Sequence, residues 1–255
     1  MIGTIPISNN NINCMTKSSE TLNHKGNFFS CVTKEYIHNV LEHKITAECF
    51  YSNFQENYIK ISCADIIALV KDSNKDSSKK VIVIENFRYP VEKHILEFPS
   101  GIIDRNDFSN IKEIYNKIST DNNKSTEELD ILLKNAIING AKRELLEETG
   151  YTGTFNKFLN LKDSDTVKIF KNLLFSANTG NENAAVVMLD VDLDDKTNKN
   201  PKQILEKDEL IKVHLVELDH LLEFITDKME KDVIGCSSVL YYFALGMNFN
   251  TFMED

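Results

Sequence analysis

The chain of 255 residues has no tryptophan, so any stacking on a planar ligand falls to its phenylalanines and tyrosines. It has no apolar run of membrane-spanning length, and Met1 to Ile7 lacks the basic start and long apolar core of a secretion signal. Both absences point to a cytoplasmic protein that does not enter a membrane. Five cysteines, Cys14, Cys31, Cys49, Cys63 and Cys236, are odd in number and scattered, which fits a reducing compartment better than a disulfide framework. The six histidines are dispersed and form no metal-ligand spacing. Basic residues are also in deficit, 29 Lys and Arg against 39 Asp and Glu, for a net charge of -10. Such a balance argues against general nucleic-acid or membrane-surface binding, since both partners are polyanions. It leaves room for a small anionic substrate held by a few local cations.

The residues present centre on Arg143-Glu144-Leu145-Leu146-Glu147-Glu148-Thr149-Gly150-Tyr151. Three glutamates at offsets of three and four fall on one helical face. Their mutual repulsion calls for a positive partner, and Mg2+ or Mn2+ prefers such hard oxygen ligands. A bare Glu-x-x-Glu-Glu is most often a solvated helix surface. Arg143 ahead of it and Gly150 behind it make that reading weak. Upstream, Leu129, Leu132, Leu133, Ala136, Ile137, Gly140, Ala141 and Leu145 recur at helical spacing behind a capping box at Ser125-Thr126-Glu127-Glu128, and Gly150 supplies the stop. Ile59–Val70, Asp72–Lys80 and Val81–Ile84 read as strand, polar turn and strand, predicting a hairpin whose second strand ends at Asn86-Phe87-Arg88-Tyr89-Pro90. Ala184–Leu193 reads as a further strand, and Glu217 to Lys231 and Gly235 to Met247 as two closing amphipathic helices.

On these residues the chain resembles the Nudix hydrolases. The second half of their signature, Arg-Glu-apolar-x-Glu-Glu-x-Gly-apolar, is intact. The signature glycine is matched by Gly101 in Leu96-Glu97-Phe98-Pro99-Ser100-Gly101-Ile102-Ile103-Asp104, but it stands 42 positions before Arg143 (143 minus 101) where the pattern expects 14, so the box carries a 28-residue insertion. The first glutamate of the pattern falls on Asp107 counted forward from Gly101, or on Asn135 counted back from Arg143. Phe87-Arg88-x-Pro90 followed by Leu-Glu-Phe-Pro-x-Gly-x-Ile-Asp resembles the ADP-ribose pyrophosphatase branch of the family.

The resemblance implies an α/β/α sandwich around a mixed β-sheet. It implies Mg2+ or Mn2+ held by Glu144, Glu147, Glu148 and the Ser100 carbonyl. It also implies Arg88 on the substrate diphosphate, Glu97 and Gly101 beside the substrate, Arg143 as the partner that positions a box glutamate, and Glu209 near the attacking water with Glu206 as its competitor. The partner is then a small nucleoside-diphosphate compound, neither nucleic acid nor membrane, and the branch forms homodimers through N-terminal strands. Phe50, Tyr51, Phe54 and Tyr58 are the aromatics available there for a base. The expected organisation is a disordered tail over 1–27, a strand region over 28–60, and a Nudix domain over 61–255 with the insertion near 105–132. Three functions stay open: an ADP-ribose pyrophosphatase, a Nudix enzyme for another nucleotide such as an oxidised nucleotide, dinucleoside polyphosphate, nucleotide sugar or NADH, and a non-catalytic Nudix-fold binding module.

Overall fold

The computed structural model describes residues 15–27, 29–39, 42–53, 61, 63–72, 78–103, 127–159, 180, 183–232 and 234–252. The chain divides into two compact units, Met1–Ser62 with Leu174–Asn183, and Cys63–Leu173 with Ala184–Asp255.

The first unit is a three-stranded antiparallel sheet of β1 (Met15–Lys25), β2 (Phe29–His38) and β3 (Lys44–Ser52). Here the structure corrects the sequence reading, because residues 15–25 are a paired strand and not a disordered tail. The composition of β1 is polar and most of its side chains are exposed, so no alternation marks it. Its order comes from backbone pairing with β2, in register from Met15↔His38 to Lys25↔Ser30. Of the aromatics expected to stack on a base, Phe50 and Tyr51 lie on β3, with the Lys34 ammonium 4.5 Å above the Tyr51 ring, while Phe54 and Tyr58 lie outside the described residues.

The second unit is built on β4 (Cys63–Lys71), whose Ala64, Ile66 and Ala68 on one face and Ile67 on the other are all buried. A strand apolar on both faces belongs in the middle of a layered structure. Along one edge it pairs in parallel with β9 (Ala184–Asp192), from Cys63↔Ala184 to Lys71↔Asp192, and β9 in turn pairs with β8 (Thr154–Phe158). Along its other edge the sheet forks. The predicted hairpin is there, but β5 (Lys80–Arg88) meets β4 only at Leu69↔Val81 and Val70↔Lys80. Beyond that β5 pairs with β6 (Lys93–Glu97) on the same side and with β10 (Ile211–Glu217) on the other. The gap left beside β4 is filled by residues 99–102: the Ile66 N–H donates to the Pro99 carbonyl at 2.8 Å, and β7 (Ser100–Ile102) pairs with Asp65, Ala64 and Cys63. A two-residue strand, β11 (Gly235–Cys236), closes the far edge in parallel with β6.

Helices cover both faces. Strand alternation turns Ala64, Ile66 and Ala68 to one of them, where α1 (Glu127–Thr149) packs on β4, β7 and β9. Its buried positions, Leu133, Ala136, Ile137, Ala141 and Leu145, repeat the spacing expected from the sequence. On the opposite face Ile67, Val81, Val83, Leu96, Phe98 and Val216 form one core with Leu221 and Ile225 of α2 (Leu221–Lys231) and Leu240 and Ala244 of α3 (Ser238–Phe252). Each fully buried aliphatic contributes about 1.5–3 kcal/mol. The α/β/α sandwich with a mixed sheet is therefore present. The insertion ends as an extension of α1, which runs without interruption from Glu127; Ser125 and Thr126 of the capping box lie outside the described residues, as does Asp107. No helix among the described residues is long and apolar enough to cross a membrane.

Helix α1 stops where Gly150 adopts φ +76°, its N–H donating to the Leu146 carbonyl at 2.8 Å. The segment Pro201–Lys202 crosses directly over it, so a β-carbon at 150 would stand 2.3 Å from the Lys202 nitrogen. Gly150→Ala is expected to cost at least about 1–2 kcal/mol from the left-handed backbone alone, with the overlap in addition. Denaturant unfolding of the variant checks this, and an unchanged midpoint would contradict it.

Candidate active site

The acidic helix face is organised by Arg143, which stands directly before Glu144 and one turn before Glu147. Its Nη1 donates to Glu147 Oε2 at 2.7 Å, and its Nη2 lies 2.9 Å from Glu144 Oε1 and donates to the Ile102 carbonyl at 3.0 Å. The planar guanidinium thus ties two box glutamates to the chain that fills the fork of the sheet.

That chain returns to the helix in spite of the insertion. The Ser100 N–H donates to Glu148 Oε2 at 2.9 Å, and Gly101 lies against Glu144 so closely that a β-carbon would stand 1.9 Å from its carboxyl carbon. Any side chain here would push the Glu144 carboxylate out of this position. The resemblance implied a Ser100 carbonyl ligand; the contact Ser100 makes to the box is through its amide.

Beside this pair lie Arg88, at the end of β5, and Glu97, at the end of β6. Arg88 Nε donates to Glu97 Oε2 at 3.2 Å and Nη2 approaches Glu97 Oε1 at 2.8 Å. The second contact is an ion pair off the hydrogen-bond direction, for Glu97 Oε1 has no directed donor. Burial raises the Glu97 carboxyl above its ordinary range, opposed by Arg88 and by a hydrogen bond from the buried Asn86. A guanidinium has five N–H donors, so the half-exposed Arg88 keeps some for another anion.

The fourth component is the segment between Pro201 and Leu210. Glu209 is half-buried and its charge bears on both Glu144 and Glu148, whereas Glu206 is exposed. The Glu206 N–H donates to Glu209 Oε2 at 2.8 Å, so the competitor holds Glu209 in place. Sequence reasoning missed what fixes this segment. Gln203 Nε2 donates to the Glu148 carbonyl at 2.6 Å and to the Ile211 carbonyl at 3.1 Å, the Ile204 N–H donates to the Glu147 carbonyl at 2.8 Å, and the Tyr89 hydroxyl donates to the Asp208 carbonyl at 3.1 Å. The unfilled carbonyls at a helix C-terminus were the available clue.

Burial pushes the Glu144 carboxyl up to about 7, Arg143 working against it and the charges of Glu147 and Glu209 with it. Glu148, 3% exposed, is driven well above the usual range by burial, then held down by the Ser100 N–H and raised again by Glu144, Glu97 and Glu209. Such carboxylates favour either a proton or a cation, and their hard oxygens are the donors a divalent metal takes. By donor chemistry Glu144 and Glu148 fit Mg2+ or Mn2+. The expected set of three is not gathered, however: among the described residues no three acidic, histidine or cysteine side chains form a metal-binding group. The reason is visible in the contacts, since Glu147 turns to Arg143 and one Glu148 oxygen takes the Ser100 N–H.

A raised carboxyl pKa in the folded state contributes stability below the unfolded value of 4.5 and loses it as the pH rises through about 7. In EDTA, Glu144→Gln is therefore expected to gain in melting temperature relative to the wild type as the pH goes from 5 to 8. A difference that does not change with pH, read by differential scanning fluorimetry, would contradict the burial of a charge at this position.

No family model matches the chain. Among curated proteins it is similar to nudix hydrolase 2 of Caenorhabditis elegans, 26% identical over 189 residues that span 74% of this chain and 67% of the relative. A Nudix hydrolase of Schizosaccharomyces pombe is 27% identical over 184 residues, spanning 72% of this chain and 70% of the relative. Solved structures with partial likeness include an ADP compounds hydrolase, at 14% identity and a TM-score of 0.48 over 91% of each chain. Another is a Nudix hydrolase from Alicyclobacillus acidocaldarius, at 11% identity and a TM-score of 0.37 over 73% of this chain and 90% of the other. At those scores neither bears on the substrate. The Arg143-to-Gly150 motif, folded as an acidic helix and its glycine stop, agrees with the Nudix hydrolase names of the two curated relatives to which the chain is similar.

Proposed function

We propose that the protein hydrolyses a nucleoside diphosphate joined to another group, with ADP-ribose as the first substrate and AMP and ribose 5-phosphate as products. The observation that carries the reading is the juxtaposition of Glu144 and Glu148 with Gly101, beside the Arg88–Glu97 pair. The choice of ADP-ribose rests on the likeness of Phe87-Arg88-x-Pro90 and Leu96–Asp104 to that branch of the family.

Arg88 binds a phosphate through the donors Glu97 leaves, and Glu97 fixes the plane of the guanidinium. Glu144 and Glu148, with Glu147 in the same turn, would hold Mg2+ or Mn2+, which would supply charge neutralisation and lower the pKa of a water. Glu209 accepts the proton of the attacking water as the water oxygen forms a bond to one phosphorus. The bridging P–O bond breaks and the departing phosphate keeps the electron pair. Arg143 keeps Glu144 aimed, and touches no reacting atom.

The binding-module reading keeps one observation in its favour, the absence of a gathered three-carboxylate group among the described residues. A homodimer through the N-terminal strands is also proposed on the family resemblance, and a monomer mass by light scattering would remove it. Purified protein with Mg2+ or Mn2+ is expected to convert ADP-ribose faster than NADH, dinucleoside polyphosphates, nucleotide sugars or oxidised nucleotides. Glu148→Gln, which keeps size and removes charge, is expected to lose turnover by several orders of magnitude. Full activity of that variant at saturating Mg2+ would overturn the assignment, and no product from any substrate would favour the binding module.

A further inference from the structure

Gln203 belongs to no motif and reads from sequence as one polar residue in a polar loop. Its side-chain amide nitrogen makes two hydrogen bonds at once, to the Glu148 carbonyl at 2.6 Å and to the Ile211 carbonyl at 3.1 Å. A primary amide has two N–H bonds, so one nitrogen serves both acceptors fully. The acceptors are the main-chain groups of the two parts of the site. Glu148 sits one residue before the end of α1, and Ile211 opens β10, two residues after Glu209. Gln203 therefore closes the base of the segment 203–211 and pins it to the helix turn that carries Glu147 and Glu148. The adjacent Ile204 N–H adds a bond to the Glu147 carbonyl.

We infer that Gln203 is a positioning residue that sets the separation between Glu209 and the Glu144–Glu148 pair. This rests on the reading of Glu209 as the proton acceptor. The physical basis is twofold. The carbonyl groups of a last helical turn have no partner within the helix, so a donor there is held firmly. A short segment closed at its base has few ways to place its interior residues, and Glu209 is further tied by the Glu206 N–H at 2.8 Å. Release of the base lets Glu209 move relative to carboxylates fixed in the helix, and misplacement of a catalytic group by about 1 Å costs on the order of 100-fold in rate.

Gln203→Met keeps length and removes both donors. Its kcat on ADP-ribose is expected to fall at least about tenfold with KM within about twofold, and the loss is expected to shrink to under about threefold when Glu209 is already Gln, because neighbours acting through one group are not additive. Equal losses in the two backgrounds would overturn the inference, since a change in general stability does not distinguish them. A second measurement uses no turnover: amide hydrogen exchange at Glu206, whose N–H bonds Glu209, is expected to quicken in Gln203→Met while exchange in β4 is unchanged. Unaltered protection at Glu206 would overturn the inference even if the wild type proves to hydrolyse none of the substrates, an outcome that fails the enzymatic reading alone.

Discussion

Burial of the Glu144 and Glu148 carboxyls is the constraint on which the second unit depends. Taking two like-charged groups from water costs several kcal/mol per ion unless the surroundings compensate. The compensations are all local: Arg143 beside Glu144, the Ser100 N–H on Glu148, and a shift toward the protonated form at both. Two of the three come from, or lean on, the chain at 100–102, which must lie against the helix to supply them. A strand with ordinary side chains could not approach so closely. Gly101 makes the contact possible, and the fork between β4 and β5 gives the segment a place to lie.

The fork also explains how the site survives an insertion inside its own signature. Residues 99–102 are held along β4, through the Pro99 carbonyl and the β7 pairing, and these bonds do not involve the chain beyond Ile103. The carboxylates are held by α1, which starts at Glu127 and reaches Gly150 unbroken. Chain inserted between two anchored pieces adds only a slowly growing closure entropy, since doubling a loop costs about 0.6 kcal/mol. The contacts that matter are made by the ends. The first glutamate position of the signature falls in the displaced stretch: counted back from Arg143 it is Asn135, far up α1 from the acidic turn, and counted forward from Gly101 it is Asp107, outside the described residues.

Features that depend on a local rule were legible in the sequence. Helical spacing put the three glutamates on one face, glycine at 150 marked the stop, and the β-branched run ending at Arg88 delivered the guanidinium. The strand β1 was not legible, because its bonds are main-chain and its side chains carry no apolar alternation. Spacing could not separate Glu209 from Glu206; in the structure Glu209 is half-buried and accepts from the Glu206 N–H, while Glu206 is exposed. Gln203 was invisible for a stronger reason, as its partners at 148 and 211 are joined only once the loop crosses the helix end. Nor does a shared helical face imply convergence, and Glu147 shows it by turning to Arg143.

The charge inventory of the site couples its two ligands. Among the described residues, Glu97, Glu144, Glu147, Glu148 and Glu209 are set against Arg88 and Arg143; burial raises the Glu97, Glu144 and Glu148 carboxyls, and like charges add to the rise at Glu144 and Glu148 before any phosphate arrives. A diphosphate brings further negative charge into the same surroundings. Arg88 cannot offset it alone, because Glu97 already draws on its fork. On the proposed function, additional positive charge, as protons on the buried carboxyls or as a divalent cation, would accompany the substrate. Protons relieve the repulsion but leave neutral acids that bind no metal and activate no water. On that reading a divalent cation would take over where Glu144 loses its proton, near pH 7, and reciprocal linkage would have diphosphate and cation each tighten the binding of the other.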